Sequence, residues 1–181
     1  TAVTIEPVES FHAPSSIEIP GDSSSPAYWL VAGTDVPGSH LLLKNVGVNP
    51  TRTGILDVLE AMGAKITLEN ERVSGGEAAA DIRVEAAKLH GTSFGAEIMP
   101  RLIDEIPVLA VAALFAEGDT VITGAGELRV KETDRLQAVT DEFNKLAPGA
   151  VEASEDGLVI HGGTKVRAAT CFSYDDHRMA M

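Results

Sequence analysis

The chain has 181 residues, 44% of them hydrophobic, with a formal net charge of -13 and one cysteine. This hydrophobic fraction supports one sizeable packed domain and excludes a disordered chain, while the acidic charge argues against nucleic acid or an anionic membrane as partner. The lone Cys171 allows no internal disulfide, and the longest apolar run, Val108 to Ala116, is too short to span a bilayer. The sequence therefore predicts a cytoplasmic protein.

The first part of the chain predicts a linker followed by alternating helices and strands. Prolines interrupt residues 1–20, so we expect an extended linker with one short strand at residues 17–19. A helix begins at Gly21-Asp22, where Asp22 or a following serine caps it, and a second helix begins at Thr51 or Thr53. The strands and the hairpin that complete this part are predicted at Leu41–Val46, Ala64–Leu68, Glu69–Ala80 and Ile82–Ala86.

The same order of elements then recurs. Asp104 opens an apolar helix that runs to Ala116, and a strand, a helix and a hairpin follow at Thr120–Ile122, Lys131–Leu146 and Val151–Ile160. Corresponding positions keep a nearly constant spacing, since Asp22 and Asp104 are 82 residues apart and Val58 and Val139 are 81 apart. This spacing predicts an internal duplication. Residues 171–181 would begin a third copy, and both ends of the chain are expected to be truncation points.

The most charged stretch, Glu127–Leu136, lies between a predicted strand and an apolar helical face. It holds Lys131, Glu132, Asp134 and Arg135. A helix N-terminus favours anions because its backbone N–H groups point outward, and lysine and arginine add positive charge. These charges fit two structures equally well. One is an anion site, and the other is a solvated helix start in which Lys131 and Arg135 form i,i+4 contacts.

Four strings of the chain resemble the signature sequences of the enolpyruvyl transferases that make 5-enolpyruvylshikimate 3-phosphate. They are Gly21-Asp-Ser-Ser-Ser-Pro-Ala-Tyr28, Leu102-Ile-Asp-Glu-Ile-Pro107, Leu128-Arg-Val-Lys-Glu-Thr-Asp-Arg-Leu136 and Tyr174-Asp-Asp-His-Arg-Met-Ala-Met181. They occur in the family's order and at about its spacing. The resemblance covers nearly the whole chain, but only about the C-terminal half of the family's enzyme.

This resemblance implies an α/β (α+β) fold, the inside-out α/β barrel domain built from repeated βαββαβ units. Residues 1–20 would be a linker and strand from the interdomain crossover, and residues 21–181 a partial enolpyruvyl transferase domain. We expect unit one at about 21–86, unit two at about 87–170 and the start of unit three at 171–181. The chain would thus hold two units and a truncated third.

The family's reaction joins phosphoenolpyruvate to the 5-hydroxyl of shikimate 3-phosphate and releases phosphate, which calls for acid–base groups and several cations. By resemblance, Asp104 is the base at that hydroxyl and Glu132 protonates the methylene of phosphoenolpyruvate. Without the resemblance, Asp104 is simply a helix N-cap. The resemblance also assigns substrate binding to Asp104, Lys131, Arg135, His177 and Arg178.

Within this set, the resemblance divides the substrates between the cations. Lys131 would bind the shikimate moiety, Arg135 and Arg178 would bind phosphoenolpyruvate, and His177 would form a hydrogen bond near Glu132. Neighbouring aspartates, Asp134 and Asp175 or Asp176, would orient these cations. One departure is Glu127, since some members place there an asparagine that contacts the shikimate phosphate. An anion is unsuited to that contact.

Two alternatives remain open. One is the sister enzyme that adds enolpyruvate to UDP-N-acetylglucosamine, although the Lys-Glu-Thr-Asp-Arg and Asp-Asp-His-Arg-Met-Ala strings favour the shikimate enzyme. The other is a folded fragment that catalyses nothing alone, because the family's N-terminal half carries the remaining substrate contacts. The implied partners are the two small substrates and that missing half, with no nucleic acid or membrane. No cofactor and no metal are expected, since metal-ligand spacing and nucleotide fingerprints are missing from the sequence.

Overall fold

Unit one comprises two helices that contact a three-stranded antiparallel sheet. The structure, a computed structural model, describes residues 2–10, 12–13 and 15–181. Asn45 and Asn70 adopt positive φ beside irregularities in the sheet register, a conformation that asparagine tolerates better than most residues. The elements are α1 Ser24–Asp35, β1 His40–Gly47, α2 Gly54–Ala61, β2 Lys65–Ser74 and β3 Glu77–Glu85, with sheet order β1-β3-β2.

Unit two repeats this plan and adds a short parallel strand. Two 3₁₀ turns, Met99–Arg101 and Ile103–Glu105, precede its first helix, and a third, Gly126–Val130, precedes its second. The remaining elements are β4 Ser93–Phe94, α3 Ile106–Phe115, β5 Asp119–Ile122, α4 Arg135–Leu146, β6 Val151–Ala153 and β7 Leu158–His161, with sheet order β4-β5-β7-β6. A short last helix, α5 His177–Ala180, follows.

The two sheets show the duplication directly. In each unit the last strand lies between the two preceding ones, giving β1-β3-β2 in one sheet and β5-β7-β6 in the other. A parallel bridge from Gly21 to Val46 matches the parallel pair β4–β5. The predicted repeat of helix, strand, helix and hairpin is therefore confirmed. Within unit two, however, the order is βαβαββ and not the expected βαββαβ, because α4 lies between β5 and the hairpin.

The core lies between the helices, with α3 at its centre. This helix is apolar on every side, and eight of its residues are buried, as expected for a helix surrounded by protein. It contacts α1, α4 and α5. Helix α1 also approaches its own sheet closely, because a Cβ at Gly33 would lie only 2.7 Å from a methyl of Val84. The central packing brings the starts of α3, α4 and α5 into one region.

Several local predictions are wrong. Residues 17–19 form no strand. They lie against the end of the first hairpin, where the Glu18 carbonyl accepts a hydrogen bond from the Ser74 hydroxyl and Ile17 lies beside Gly75. The strands of the first hairpin continue through residues 69–74 and 77–80, so its turn is confined to Gly75-Gly76. The unit boundaries drawn from the sequence stay predictions.

Candidate active site

The charged stretch before α4 forms a loop, and not the start of the helix as predicted. Residues 126–130 form a 3₁₀ turn anchored by the fully buried Leu128, while Arg129 donates to the carbonyls of Ser154 and Glu155. Helix α4 begins at Arg135 because Asp134 caps it, accepting a hydrogen bond from the backbone N–H of Gln137. Lys131 and Glu132 therefore extend from a loop fixed at both ends.

Arg135 lies at the centre of the site. Its side chain is 2% exposed, and its guanidinium donates to Asp176 at 2.8 and 3.3 Å, to Glu132 at 2.7 Å and to Asp104 at 3.2 Å. Burial alone would lower the pKa of Arg135, but the bonds and charges of these three carboxylates outweigh burial and raise it. Four of the five guanidinium N–H groups are thus occupied, which leaves one on Nη1.

Asp104 is held by two cations and does not cap a helix. It lies in the 3₁₀ turn Ile103–Glu105, ahead of α3, and makes no cap hydrogen bond. Besides Arg135, its Oδ1 lies 3.8 Å from Nζ of Lys131. The prediction of an N-cap is wrong because this carboxylate faces the cations and not the backbone of α3. Lys131 and Arg135 likewise meet through Asp104 and form no i,i+4 contact on a helix.

Lys131 has a second carboxylate partner that the sequence analysis missed. Its Nζ lies 2.9 Å from Oε1 of Glu127, and that hydrogen bond, with the nearby charge of Asp104, raises the pKa of Lys131. The spacing of four residues was the available signal. The sequence predicts only that Glu127 is unsuited to phosphate, whereas in the structure Glu127 holds the Lys131 ammonium beside Asp104.

Asp176 connects the cluster to the last helix. Its side chain is fully buried, and the bonds from Arg135 and from the backbone N–H of Arg178 lower its pKa against the opposing effect of burial. It caps α5, and so fixes the direction of His177 and Arg178. The prediction that this aspartate orients the cations agrees with these contacts. Asp134, which forms an ion pair with Arg129 at 2.8 Å, orients a cation farther from the cluster.

His177 and Arg178 begin α5. The His177 ring is exposed and forms no hydrogen bond with any described residue, so the expected bond near Glu132 is not made. Arg178 is half-buried, and its carbonyl accepts a hydrogen bond from the Tyr28 hydroxyl at 3.4 Å. Within the described part of the chain, its guanidinium forms no ion pair, and it lies close enough to the Tyr28 hydroxyl to oppose in part the rise in the pKa of Tyr28 that burial causes. It is the cation of the predicted set with the most donors free for a ligand.

Glu105, next to Asp104, was also missed. It is 4% exposed, and its Oε1 has no hydrogen-bond partner among the described residues. Burial raises its pKa, opposed in part by a bond from Ser24 and by the charges of Arg52 and Arg178. In the sequence it is one more acid at a helix start, so only its burial distinguishes it.

A separate apolar cavity of about 330 Å³ lies beside this cluster, between α1 and α3. Tyr28, Pro107 and Arg178 line it, whereas Asp104 and Glu132 do not. Another lining residue, Asp35, has a pKa raised to about 7 by burial. The cavity thus adjoins the cluster only through Arg178.

Residues 2–10, 12–13 and 15–181 contain neither a metal-ligand cluster nor a helix able to cross a membrane. No group of three or more His, Cys, Asp or Glu side chains is placed to hold a metal ion there. No helix in the same ranges combines the length and the apolar composition needed to cross a membrane.

Comparisons with known proteins agree on the family. A family model described as EPSP synthase (3-phosphoshikimate 1-carboxyvinyltransferase) matches residues 1–181. The 3-phosphoshikimate 1-carboxyvinyltransferase of Thermosynechococcus vestitus is 61% identical over 163 residues, covering 90% of this chain and 37% of the relative. The Synechocystis enzyme of the same name is 54% identical over 187 residues, covering 99% of this chain and 42% of the relative.

Solved structures support the same assignment. An EPSP synthase from Acinetobacter baumannii superposes with a TM-score of 0.85 at 41% identity, covering 91% of this chain and 38% of that one. The enolpyruvyl transferase NikO from Streptomyces tendae, at 18% identity and a TM-score of 0.56, shares the fold. The chain spans about two fifths of the length of the curated relatives it matches. It belongs to the EPSP synthase (3-phosphoshikimate 1-carboxyvinyltransferase) family and has the enolpyruvyl transferase fold.

Proposed function

We propose that this chain supplies one side of an active site that transfers the enolpyruvyl group of phosphoenolpyruvate to the 5-hydroxyl of shikimate 3-phosphate, releasing phosphate. The observation that carries the proposal is the Arg135 cluster. One buried guanidinium joins Asp104, Glu132 and Asp176, which come from three separate parts of the chain. Two acid–base candidates and the turn that carries Arg178 are thereby held together, as addition followed by elimination requires.

Asp104 is proposed as the base that takes the proton of the reacting hydroxyl. Its Oδ1 faces Arg135 and Lys131, which fix the position of the carboxylate before substrate arrives. Lys131 would also bind the shikimate moiety, since its Nζ is charged and lies 3.8 Å from Oδ1 of the proposed base. Glu127 would hold that lysine in place and not contact phosphate.

Glu132 is proposed as the second acid–base group, the donor of a proton to the methylene of phosphoenolpyruvate. Its side chain is half exposed, and only Oε2 is bound to Arg135. The other oxygen is therefore open to a ligand. An acid held by one oxygen and exposed at the other suits proton transfer at a fixed position.

Three residues are proposed to bind phosphoenolpyruvate, and the structure gives them different capacities. Among the described residues, Arg178 has no carboxylate partner, so its guanidinium suits forked recognition of a phosphate or carboxylate. Arg135 has one N–H left, so its contribution is a single contact together with the positive charge that it places among the carboxylates. His177, exposed beside Arg178, would add a hydrogen bond only when substrate is present.

The remaining contacts would come from the part of the relatives that this chain does not span. We propose that the whole protein acts in the cytoplasm, the reducing compartment that a lone cysteine suits, and needs no cofactor. Alone, the chain lacks the opposing donors that would bring two anionic substrates within reacting distance. Loss of such positioning can forfeit about 7–11 kcal/mol of catalysis, so the chain by itself should release no phosphate above background.

The test uses the enzyme completed with the N-terminal half and the remaining C-terminal segment. Glu132→Gln should lower turnover by about 10²–10⁴-fold while shikimate 3-phosphate binds almost unchanged. Phosphate release measures the first quantity and ligand titration the second. Glu60→Gln, which removes the same charge from an exposed position on α2, is the matched control and should be silent. Equal losses of binding and turnover would make Glu132 a binding residue.

A second arm addresses the sister reaction. Replacing shikimate 3-phosphate with UDP-N-acetylglucosamine should abolish phosphate release in the completed enzyme. Turnover with the nucleotide sugar, and none with shikimate 3-phosphate, would overturn the proposed acceptor while leaving the enolpyruvyl transfer itself in place.

A further inference from the structure

The segment from Thr164 to Asp176, called the strap here, has neither helix nor strand and leads from β7 to α5. It is mostly exposed, and Arg167 and Phe172 are among its solvent-facing side chains. Yet the strap ends in the buried Asp176 and delivers His177 and Arg178 to the candidate site. A segment with so little burial needs specific contacts to hold one path.

Glu142 on α4 supplies the contacts for the second half of the strap. Its carboxylate is buried, and it accepts hydrogen bonds from the backbone N–H of Phe172 at 3.0 Å and from the Tyr174 hydroxyl at 2.7 Å. Nζ of Lys145 donates to both oxygens at 2.6 and 2.7 Å, and lies 5.0 Å from the ring centre of Phe172. Every strong bond of this buried charge therefore goes either to the strap or to the lysine that covers it.

Arg135 and Glu142 lie seven residues apart on α4, two helical turns, and so share one face of the helix. Arg135 binds the strap at Asp176, and Glu142 binds it at Phe172 and Tyr174. Between these two attachments, Tyr174 and Asp175 both adopt a φ of 56°. Consecutive non-glycine residues in this conformation are costly and persist only where surrounding contacts enforce it.

We propose that Glu142 is a positioning residue for the reaction, holding the strap on α4 so that the Asp176 turn presents His177 and Arg178 to phosphoenolpyruvate. The role rests on the proposed function. Arg167 holds the start of the strap to the end of α4, through bonds to the carbonyls of Leu146 at 2.8 Å and Lys145 at 3.1 Å. The Glu142 contacts are the attachment next to the Asp176 turn, and they stop the chain from rotating about Asp176. No part of Glu142 touches the candidate site, so it acts through Tyr174 and the turn that follows.

The strap contact itself can be measured in the chain as it stands. The chain contains two tyrosines, Tyr28 and Tyr174, and the bond to Glu142 raises the pKa of Tyr174 to about 12. A Tyr28→Phe background isolates the second phenol in an absorbance titration. Replacing Glu142 with Gln in that background should move the Tyr174 pKa down toward its ordinary value of 10.0, whereas Glu60→Gln should leave it unchanged.

Trypsin gives an independent readout of the strap, at Lys165 and Arg167. Cleavage there should be faster in Glu142→Gln and in Tyr174→Phe than in the parent chain or in Glu60→Gln, because cleavage requires the strap to leave α4. Tyr174→Phe removes a single hydrogen bond and keeps the ring, so it remains informative if Glu142→Gln fails to fold. Unchanged tyrosine titration and unchanged cleavage would both contradict the proposal.

Kinetics of the completed enzyme separate a positioning role from a merely structural one. Tyr174→Phe should raise KM for phosphoenolpyruvate and lower kcat/KM, by up to about 10²-fold where a shift approaches 1 Å. KM for shikimate 3-phosphate, proposed to depend on Lys131 and Asp104, should stay near the parent value. Equal changes in both KM values, or none, would overturn the positioning role. If the completed parent enzyme shows no turnover, the proposed function fails, and titration and cleavage still decide whether Glu142 holds the strap.

Discussion

Helices α2 and α4 occupy equivalent places in the duplicated units. The contact between the start of each helix and the segment that packs on it is called a joint. Gly54 begins α2 and Arg135 begins α4, 81 residues later. In each case a segment leading into the next unit's helix packs on the joint. Arg101, ahead of α3, donates to the carbonyl of Pro50 and to the side chains of Thr53 and Asp57, whereas Asp176, ahead of α5, accepts from Arg135.

The chemistry of the two joints is inverted. At α2 the arriving segment brings the cation, Arg101, whose side chain is 33% exposed. At α4 the arriving segment brings a carboxylate, and the cation is the first residue of the helix itself, nearly fully buried. Gly54 has no side chain, and this lets Arg101 and Leu102 pack closely against α2. The duplication therefore explains why both joints exist. Different side chains at a few positions make the α2 joint a packing contact and the α4 joint a candidate active site.

The largest expected difference between the joints is the cost of removing the arginine. Arg135→Met leaves Asp176 buried without its partner and should lower the free energy of unfolding by about 3–5 kcal/mol. Arg101→Met removes partly exposed contacts and should cost about 1 kcal/mol. Urea unfolding of both variants gives the comparison. Similar losses would mean that burial does not distinguish the two joints.

A smaller effect is expected at the glycine of the α2 joint. A Cβ at Gly54 would lie 3.0 Å from three side-chain carbons of Arg101 and Leu102. Gly54→Ala should therefore destabilise the chain by about 1–2 kcal/mol, since overpacking outweighs the gain in helix propensity. Glu60→Ala, exposed on the same helix, is the control and should change stability little. A stabilised Gly54→Ala chain would show that the close approach is not required.

The helix caps differ as well. Asp134 accepts a hydrogen bond from the backbone of Gln137, whereas Thr53, the residue before α2, makes no cap hydrogen bond. Asp134→Ala removes this cap, worth about 1 kcal/mol of unfolding free energy, and also the partly exposed ion pair with Arg129, which contributes less. Thr53→Ala should cost less, because it loses only the bond from Arg101. Thermal unfolding resolves the pair, and a larger loss for Thr53→Ala would reverse the comparison.

Much of the fold could be predicted because duplication leaves a periodic record in the sequence. The constant spacing between Val58 and Val139 predicted two copies, and both sheets have the same strand order. The start of α4 was misplaced by four residues because no local pattern shows that Leu128 is buried and that Arg129 is bonded to a distant hairpin. Charge periodicity alone cannot reveal such long-range anchors.

Several residues of the candidate site could be predicted from the sequence, but the contacts between them could not. The motif resemblance assigned Asp104, Lys131 and Glu132 to one site, and the structure places their side chains around Arg135. That Arg135 would be buried among carboxylates depends on the path of the strap, which carries no periodic apolar pattern. Glu142 was hidden for the same reason, since its partners follow thirty or so residues later in an irregular segment.

The smallest expected effect concerns a histidine–acid pair that occurs across equivalent strands of both sheets. His40 on β1 pairs across the sheet with Glu85 on β3, whereas Asp119 on β5 pairs with His161 on β7, so histidine and acid exchange strands. In unit two, the bond to Asp119, assisted by Glu152, raises the pKa of His161. NMR titration should therefore give His161 a pKa above 6.5.

This raised pKa makes the stability of the fold depend on pH. Because the pKa of His161 is higher in the folded chain, its contribution to the free energy of unfolding is complete below the ordinary pKa and disappears as pH rises through the raised pKa. Asp119→Asn should lower the His161 pKa more than Glu152→Gln does, and the opposite order would assign the pair to the wrong acid.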